Sequence, residues 1–574
     1  MPETEHLYDL LVVGAVQSLQ TNFTSKLDLG WHGIAAAKTY LEIHPTQDLL
    51  VLEAERTCGG TWSEDRLYPG LKSNNMIGSY EYPDYPMYKK TYGVKDNDHI
   101  PAATLHKYLT DYARQSGVLS RIVFNTSVLS IESAEDKNWK IMAQKGGKDA
   151  IFRTKKIIMA TGLTSEPNML TFDGQEKFNA PLFHAKDFCR NASVTKTAKN
   201  VVVVGGAKSA FDIAYTFVQE GAQVDLIIRP NGNGPVWLAP PFVTPLKRKV
   251  EELLHTRILT WFSPCPWGDQ DGFAPVRYFL HKTAVGRWLV HNFWHALGSD
   301  ILERGGYDTH PDTRRLKPWS SPFWVASGLS IHNYETSFLD MVKTGSVRIH
   351  EANIDKLSER KVHLSTGQSL PADALVCATG WKKSSSIKFL HCDLSIPGSS
   401  DEKQVLYQEA DEKILEDFPG LASQPVLRYK QETCDPLRLY RFMVPIASYK
   451  NRNIAFAGAV STVSTSTCAS IQGLWISAFF DGQLKRAAVS PDEAVQEAVL
   501  HTQWGIWRYP CGYSRKLPDI AFDVLPYFDL LVRDLGLKHH RKSSPWAELV
   551  EPYKPKDYAE LLKEWNVASL GVKS

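Results

Sequence analysis

The chain is poor in cysteine for its length and has no excess of charge of either sign. Its eight cysteines stand singly among 574 residues, and no pair has the CxxC spacing of a zinc site or a redox pair. This scarcity excludes a disulfide scaffold and favours a reducing compartment. Lys and Arg number 65 against 63 Asp and Glu, so no bulk field would attract nucleic acid or an anionic membrane. We therefore expect neither as a partner.

The sequence also lacks the marks of a signal peptide and of a membrane span. Residues 1–6 are polar and contain no apolar core of a signal peptide. One uncharged run, residues 454–480, has 27 residues, but eight of them are Ser or Thr and two are Gly. Such a run indicates buried strand, loop and helix rather than a lipid-facing span. We expect a cytoplasmic protein, and no pattern indicates its oligomeric state.

Motifs for metal-assisted or serine-based hydrolysis are incomplete. His291 and His295 have the i, i+4 spacing of a zinc protease helix, but Asn292 stands where the glutamate is needed. The segment 328–332 begins like a GxSxG nucleophile elbow and ends on His332 instead of glycine. We expect no metal site.

Two segments that are present share one pattern: an apolar run, a glycine-rich turn, an alanine-rich stretch and a second apolar run. The first comprises residues 8–14, 30–37 and 49–53, and the second comprises residues 201–214 and 224–229. Continuous Val, Leu and Ile runs without alternation are typical of parallel strands buried on both faces. The sequence therefore predicts an α/β fold with two Rossmann-like dinucleotide-binding units.

The first glycine turn is interrupted. Gly14 and Ala15 are followed by the fourteen residues 16–29, and then by Gly30-Trp-His-Gly33. Without those fourteen residues the sequence reads as a complete GxGxxG motif. Glu53 lies 20 residues after Gly33, at the distance where an acidic residue binds a ribose hydroxyl in such folds. The insertion is either a gene-prediction error, such as unspliced sequence, or a tolerated surface loop.

The second turn favours a phosphorylated nucleotide. It contains Gly205 and Gly206, then Lys208, Ser209 and Ala210. Arg229 ends the following apolar run, 19 residues after Ala210. Because an arginine at this place suits a 2′-phosphate, the pattern predicts NADPH rather than NADH, with Lys208 as a further phosphate contact.

Residues 231–330 differ from the rest of the chain. They are rich in proline and aromatic residues, and seven of the sixteen tryptophans lie between Trp237 and Trp324. Two interpretations stay open: extra helices that pack through tryptophan, and an apolar wall for a substrate or partner.

Further motifs resemble the flavin-containing monooxygenases and their Baeyer–Villiger relatives, in the style of fungal FAD-dependent monooxygenases of secondary metabolism. They are Cys58-Gly-Gly-Thr-Trp62, Tyr68-Pro-Gly-Leu-Lys-Ser-Asn74 with Tyr82-Pro-Asp-Tyr-Pro86, the fingerprint-like segment from Phe178 to Phe188, the turns Ala160-Thr-Gly162 and Ala378-Thr-Gly-Trp381, and the pair Ile454–Gly458 and Ile471–Trp475. These motifs run in the family's order along nearly the whole chain.

The resemblance implies an FAD domain that is split by an NADPH domain. The expected bounds are 1–197 for the first FAD part, 198–374 for the NADPH domain with its aromatic-rich insertion, and 375–574 for the second FAD part with C-terminal helices. It also implies a set of cofactor-binding residues: Gly14, Ala15, Gly30, Gly33, Glu53, Gly60, Thr61, Trp62, Ser73, Asn74, Asn75, Gly205, Gly206, Lys208, Ser209, Ala210, Arg229 and Gln472.

The activity implied by the resemblance is monooxygenation. In that family NADPH reduces FAD, O₂ adds at flavin C4a as a hydroperoxide, and the distal oxygen is transferred to a small organic substrate. Asn74 is the expected catalytic residue, because a neutral amide can hydrogen-bond the adduct or NADP⁺ without titrating. His184 is expected to fix the linker between domains rather than to act as a base.

Two departures from the family pattern bear on the reaction type. Ala180 replaces the fingerprint glycine, and the fingerprint ends in Phe188-Cys189 rather than in the tryptophan of Baeyer–Villiger enzymes. This favours N- or S-oxidation or hydroxylation. Baeyer–Villiger oxidation of a ketone, and an inactive nucleotide-binding relic in which the insertion breaks the first turn, remain alternatives.

Overall fold

The computed structural model of the chain describes residues 6–14, 29–243, 248–383, 386–430, 435–512 and 514–570. The β-strands are β1 (Leu7–Val13), β2 (Leu49–Leu52), β3 (Lys72–Met76), β4 (His99–Pro101), β5 (Ile122–Val123), β6 (Thr126–Ser133), β7 (Trp139–Lys145), β8 (Lys148–Met159), β9 (Leu182–His184), β10 (Asn200–Val204), β11 (Gln223–Ile228), β12 (Trp237–Ala239), β13 (Phe242–Val243), β14 (Arg248–Lys249), β15 (Leu329–Ile331), β16 (Val347–Glu351), β17 (Ile354–Ser358), β18 (Lys361–Leu364), β19 (Ser369–Pro371), β20 (Ala374–Cys377), β21 (Lys388–Leu390), β22 (Leu439–Tyr440), β23 (Val444–Pro445) and β24 (Ile454–Phe456). The α-helices are α1 (Trp31–Ile43), α2 (Lys89–Tyr92), α3 (Ala102–Gln115), α4 (Val194–Thr197), α5 (Lys208–Gln219), α6 (Val250–Leu254), α7 (Arg257–Thr260), α8 (Ala274–Lys282), α9 (Ala284–Gly305), α10 (Pro311–Arg314), α11 (Phe338–Lys343), α12 (Ser400–Asp417), α13 (Thr465–Phe480), α14 (Pro491–Arg508), α15 (Val524–Asp534), α16 (Pro545–Val550) and α17 (Leu561–Leu570).

The larger sheet is built around the first predicted apolar run. Its strand order is β21-β6-β7-β8-β1-β2-β5, and β24 also pairs with β8. β1 is parallel to both β2 and β8, and its residues from Leu10 to Val13 are fully buried. Burial on both faces explains why these strands are apolar without alternation.

The second sheet is parallel throughout and has the order β16-β11-β10-β20-β9. Helix α5 follows β10 directly and packs on this sheet through Phe211, Ala214 and Phe217. The two sheets and their covering helices confirm the predicted α/β class.

In sequence, all strands of the second sheet lie between β8 and β21 of the larger sheet. β24 returns to the larger sheet, where Ile454 pairs with Ile157, after the whole second sheet has formed between them in sequence. Helix α13 then packs on α1, and a Cβ built on Gly473 would lie 3.2 Å from Ala36 Cα. The domain bounds 1–197, 198–374 and 375–574 stay a prediction.

The aromatic-rich region 231–330 contributes helices α6 to α10 and is attached to the C-terminal helices by a buried ionic cluster. The Arg257 guanidinium lies 2.6 Å from Asp529 and 2.7 Å from Glu548. Trp261, Trp267 and Trp294 of this region are buried, as expected for helices that pack through tryptophan. A cavity beside Trp294 bears on the second interpretation of the region and is described below.

None of the helices in the described part of the chain has the length and apolar character needed to cross a bilayer.

Candidate functional site

The first glycine turn joins β1 to α1. Gly30 is the N-cap of α1, so the N-terminal amides of this helix open toward the space in front of β1. A Cβ on Gly33 would come within 3.2 Å of the Ala160 Cβ, so this glycine allows close packing of α1 on the strand layer. Both positions behave as the predicted dinucleotide turn requires.

Leu29 packs against Gly14 at this turn, and the predicted role of Ala15 stays a prediction. A Cβ built on Gly14 would lie 2.8 Å from the Leu29 Cβ and 2.9 Å from its Cα. Ala15 and residues 16–28 fall outside the described residues, whereas Leu29 is fully buried. Gly14 and Leu29, which are fifteen positions apart in sequence, are therefore adjacent in the turn.

Glu53 follows β2 as predicted, and its carboxylate is already engaged. The side chain is fully buried and accepts hydrogen bonds from the backbone amides of Leu29 and, at 2.7 Å, of Glu55. Because the backbone N–H of Leu29 is one of these donors, Glu53 fixes the glycine turn. A contact with a ribose hydroxyl stays a prediction.

A cleft of about 280 Å³ opens in front of this turn. We call it the central cleft; it is lined by Gly30, Gly60, Gly162, Gly458 and Ser461, among others. Glycine is required at Gly458, where φ is +76° and a Cβ would lie 2.6 Å from the His32 ring. The backbone of four chain segments therefore lies directly at the central cleft, as is needed for close approach to a dinucleotide.

His32 lines this cleft and has one buried ring nitrogen, Nε2, without a hydrogen-bond partner among the described residues. Burial lowers the pKa of His32 to about 4, so the ring is neutral at physiological pH. A buried polar atom without a partner beside a glycine cradle fits a bound polar ligand.

Thr61 and Trp62 line the central cleft, and their contact with a cofactor stays a prediction. The Thr61 hydroxyl lies 3.0 Å from that of Thr164, and the Trp62 indole N–H donates to the Tyr80 hydroxyl at 3.3 Å. These contacts join opposite walls of the cleft and orient the indole.

Gln472 lies near the cleft but its amide is used within the protein. The side chain is fully buried, its Oε1 accepts from Gly458 N at 2.9 Å, and its Nε2 donates to the Tyr527 hydroxyl at 3.0 Å. The structure therefore shows Gln472 holding the Gly458 turn from behind. Direct cofactor contact by Gln472 stays a prediction.

Asn74 lies on β3, beside the central cleft rather than in its lining. The side chain is exposed, its Oδ1 accepts from the Ser330 hydroxyl at 3.2 Å, and its Nδ2 has no hydrogen-bond partner among the described residues. Asn75 Nδ2 donates at 3.3 Å to the backbone oxygen of Val463, which follows Thr462 of the cleft lining. Ser73 is buried and accepts from Ile100 N, so it fixes the strand.

Glu251 supports this asparagine segment and was not predicted. It lies on α6, is 3% exposed, and accepts from Asn75 Nδ2 at 2.9 Å, Ser79 Oγ at 2.8 Å and Met76 N at 3.2 Å. Burial raises the pKa of its carboxyl group. Its partners lie far away in sequence, so no local pattern could have found it.

We expect Glu251→Ala to lower the free energy of unfolding by about 2 kcal/mol, because buried donors lose their acceptor. Chemical denaturation followed by fluorescence measures this loss. Glu252→Ala is the matched control, since Glu252 is half-buried and pairs with Lys554 at 3.1 Å. Its removal should cost less than about 1 kcal/mol. Equal losses would show that Glu251 contributes no more than a surface ion pair.

The second glycine turn lies between β10 and α5. Gly205 has φ of +151°, and a Cβ there would clash with Ala378 O. A Cβ on Gly206 would lie 2.6 Å from Gly234 O. Ala210 is buried and Ser209 is exposed at the start of α5. The tight backbone approach at both glycines matches the predicted nucleotide turn.

Arg229 directly follows β11, at the carboxyl edge of the second sheet, and its side chain is exposed. No carboxylate of the described chain forms an ion pair with it. An exposed cation at this edge is available for a phosphate, which is the role predicted from the sequence.

Lys208 connects the second glycine turn to the asparagine strand. Its ammonium group pairs with Asp212 and donates to Asn333 Oδ1 at 2.8 Å. Asn333 Nδ2 in turn donates to Ser73 O at 3.1 Å. This chain of contacts connects the start of α5 to strand β3, which pairs with β4 outside the two large sheets. Asn333 was not predicted because nothing near it in sequence marks it.

His184 ties the end of β9 to the turn that follows β20, within the second sheet. Its Nε2 lies 3.0 Å from Gly380 O, and its Nδ1 accepts from Lys186 N at 3.1 Å. Burial lowers the pKa of this imidazole to about 4. Both ring nitrogens are occupied by backbone groups, as a linker-fixing histidine requires.

Comparison with known proteins gives the family. A sequence profile described as pyridine nucleotide-disulphide oxidoreductase matches residues 32–259. An FAD-dependent monooxygenase of Pyrenophora dematioidea is 35% identical over 94% of this chain and 100% of its own length. Another, of Aspergillus nomiae, is 33% identical over 99% of both chains. The chain belongs to the FAD-dependent monooxygenases. It is an oxidoreductase.

Solved structures agree with this monooxygenase fold. A cyclohexanone monooxygenase from Rhodococcus sp. Phi1 bound to NADP⁺ has a TM-score of 0.60 and 16% identity, over 93% of this chain and 98% of the other. At this identity the likeness shows the fold alone, which has two Rossmann-like dinucleotide-binding units. The family resemblance seen in the motifs is confirmed.

Proposed function

We propose that this monooxygenase uses FAD and NADPH to insert one oxygen atom of O₂ into a small, mainly apolar organic substrate, a secondary metabolite, by N- or S-oxidation or hydroxylation. One observation carries the proposal. Contacts from Lys208 through Asn333 to Ser73 hold the strand of Asn74 against the second glycine turn. Asn75 ties the same strand to the backbone of Val463, which follows Thr462 of the cleft lining.

The residues present fit the two cofactors. The central cleft offers a glycine cradle, the amide end of α1 and the unpartnered His32 Nε2 for FAD. The second turn offers Gly205, Gly206 and the exposed Arg229 for NADPH. Bound FAD, reduced by NADPH, supplies the chemistry that activates O₂.

The chain itself orients the reactants and keeps water away. Asn74 presents a neutral amide that Ser330 holds by one oxygen, which leaves the Nδ2 group to donate to a reacting oxygen or to the nicotinamide. Trp62 and Tyr80 shield the cleft wall with aromatic surface. The imidazole of His32 is neutral and adds no charge.

An apolar cavity in the aromatic-rich region supports an apolar substrate. It encloses about 440 Å³ and is lined by Leu254, Leu297, Phe293, Trp294 and Phe522, among others. The polar groups in its lining are occupied internally, since the Trp294 N–H donates to Phe262 O at 2.9 Å and the Ser263 hydroxyl donates to Asp523 at 2.6 Å. Such a pocket offers contact area and few hydrogen bonds.

The test is turnover by purified, FAD-loaded protein. Amines, sulfides and ketones of graded size are incubated with NADPH and O₂, and products are read by mass. Gain of one oxygen on an amine or sulfide supports the proposal, while lactone or ester formation from ketones identifies the Baeyer–Villiger alternative. Protein that binds no flavin at all would be the inactive relic.

We expect a variant lacking residues 15–28 to bind FAD at least as well as the full chain. Gly14 and Leu29 are close in space, since a Cβ built on Gly14 would lie 2.9 Å from Leu29 Cα, so a small local shift is enough to close the turn after the deletion. Removing a fourteen-residue closed loop also relieves about 2 kcal/mol of closure entropy. Flavin absorbance per mole of purified protein measures the outcome.

A Gly/Ser segment of equal length in place of residues 15–28 is the control and should give no gain. Loss of flavin on deletion alone would show that the segment is a genuine part of the site. Gain of flavin would favour the gene-prediction error over a tolerated loop.

A further inference from the structure

Three polar side chains from distant parts of the sequence meet behind the central cleft. The Ser327 hydroxyl lies 2.8 Å from Asp519 Oδ1 and 2.6 Å from the Ser461 hydroxyl. Asp519 Oδ2 also accepts from Ser327 N at 3.1 Å. These groups come from the segment before α15, the aromatic-rich region and the loop after β24. They form an unbroken line of hydrogen-bonding oxygens.

One end of this line reaches the central cleft. Ser461 lies in the cleft lining between Val460 and Thr462, which also line it. Its backbone is fixed, because Ser461 N donates to Pro518 O at 2.9 Å and Ser461 O accepts from Ile520 N at 3.0 Å. The Ser461 hydroxyl is therefore held at a constant place between the cleft and Ser327.

The other end is a carboxyl group without access to solvent. Asp519 is 0% exposed. Burial raises the pKa of Asp519 to about 7, with Asp523 adding to the rise and the Ser327 hydrogen bonds opposing it. Such a group is present in both protonation states near neutral pH, which suits proton exchange.

The charged and titratable groups that face Asp519 are Asp523, Tyr509 and Lys383. Lys383 lines a second pocket, which shares Gly162 and Gly458 with the central cleft and continues to Lys516 and Pro518. Burial lowers the pKa of Lys383 to about 8. The Lys383 amine is therefore a proton source in this pocket, next to the segment that carries Asp519.

We propose that Asp519, Ser327 and Ser461 form a proton relay that supplies the central cleft with the proton consumed in each turnover, an inference that rests on the proposed function. Monooxygenation converts NADPH, O₂, substrate and one proton into NADP⁺, oxygenated substrate and water. Asp519 gives its carboxyl proton to Ser327 Oγ, the Ser327 proton passes to Ser461 Oγ, and the Ser461 proton enters the cleft and ends in the product water. The Asp519 carboxylate is then reprotonated by a solvent proton that enters from the pocket lined by Lys383 and Pro518, the residue next to Asp519.

A carboxylate that merely holds the Ser327 turn would show the same contacts, so the test separates the two roles. Asp519→Asn keeps the size of the side chain and one acceptor oxygen, which can take the Ser327 N–H, while its Nδ2 can donate to Ser327 Oγ; the substitution removes the exchangeable carboxyl proton. Ser327→Ala keeps the carboxyl group and interrupts the line. Asp523→Asn is the matched control, because Asp523 is equally buried but bonds to Ser263 and Tyr509 instead.

The first readout needs no cofactor. Infrared difference spectra of the apoprotein should show protonated-carboxyl absorbance that titrates near pH 7, from Asp519 and from Glu497, since burial raises the pKa of each to about 7. The Asp519 part should be lost in Asp519→Asn and persist in Asp523→Asn and in Glu497→Gln. The second readout is the pH profile of oxygenated product. The wild-type rate should fall above about pH 7, whereas Asp519→Asn and Ser327→Ala should be at least about tenfold slower at pH 6 and nearly independent of pH.

Unchanged pH profiles in both relay variants would overturn the relay, as would a carboxyl band that does not respond to Asp519→Asn. If no substrate is oxygenated, the proposed function fails separately. The relay is then judged on NADPH-driven release of H₂O₂, which also consumes one proton in the cleft and should show the same pH dependence.

Discussion

Asn74→Leu is expected to separate NADPH consumption from oxygen transfer. The variant should retain FAD, because the glycine cradle around Gly30 and Gly458 does not include Asn74. NADPH oxidation should continue, since hydride transfer depends on stacking of the two cofactor rings. Product should fall by about 10²–10³, the usual cost of removing one preorganised donor, with H₂O₂ formed in its place. The measurement is product per NADPH consumed, with peroxide counted in parallel.

Two further variants make this result specific. Ser330→Ala removes the hydroxyl that holds Asn74 Oδ1 but leaves the amide in place, so the loss of coupling should be smaller. Asn74→Asp retains the shape and introduces a charge, and it should be as poor as Asn74→Leu. If Asn74→Leu forms as much product per NADPH consumed as the wild type, Asn74 has a structural role in β3 and no role in oxygen transfer.

Arg229→Asp is expected to weaken NADPH binding far more than NADH binding. The substitution replaces a charge-assisted contact to the 2′-phosphate by repulsion, which amounts to roughly 2–4 kcal/mol, or about 30- to 1000-fold in affinity. NADH lacks that phosphate, so its affinity should change little. Titration of both nucleotides against the FAD-loaded protein gives the two ratios.

Arg314→Asp is the control for a general change of charge. Arg314 lies in the same part of the chain, is 62% exposed and already pairs with Asp308 at 3.5 Å. Arg314→Asp should change the affinities for NADPH and NADH only slightly and to the same extent. Equal weakening of NADPH and NADH by Arg229→Asp would remove Arg229 from the nucleotide site.

The parts of the fold that could be predicted are those with local causes. Buried parallel strands require continuous apolar runs, and residues 8–13 and 201–204 show them. The backbone at Gly205 needs a positive φ and close approach, so the residue type itself marks the turn. Helix α1 was expected after Gly30 because alanine-rich sequence follows a glycine turn there.

The parts that could not be predicted depend on partners far apart in sequence. Glu251 and Asn75 meet only because α6 folds onto β3, and Asp519 meets Ser327 only because the C-terminal segment covers the aromatic-rich region. Gln472 was identified by motif, yet its amide bonds to Gly458 and Tyr527. Motif matching gives a residue's position, whereas the direction of its side chain follows from tertiary packing.

The place of β24 in the larger sheet has a consequence for synthesis on the ribosome. All strands of the second sheet, from β9 to β20, leave the ribosome before Ile454 is available to pair with Ile157. The nascent chain can therefore complete the second sheet before the larger one. Until β24 is translated, the edge of β8 that pairs with it stays unpaired. Long-range pairing of this kind is slow and leaves an open edge during translation. The glycine cradle that we propose for FAD includes Gly458, so it is completed only after β24 has been translated.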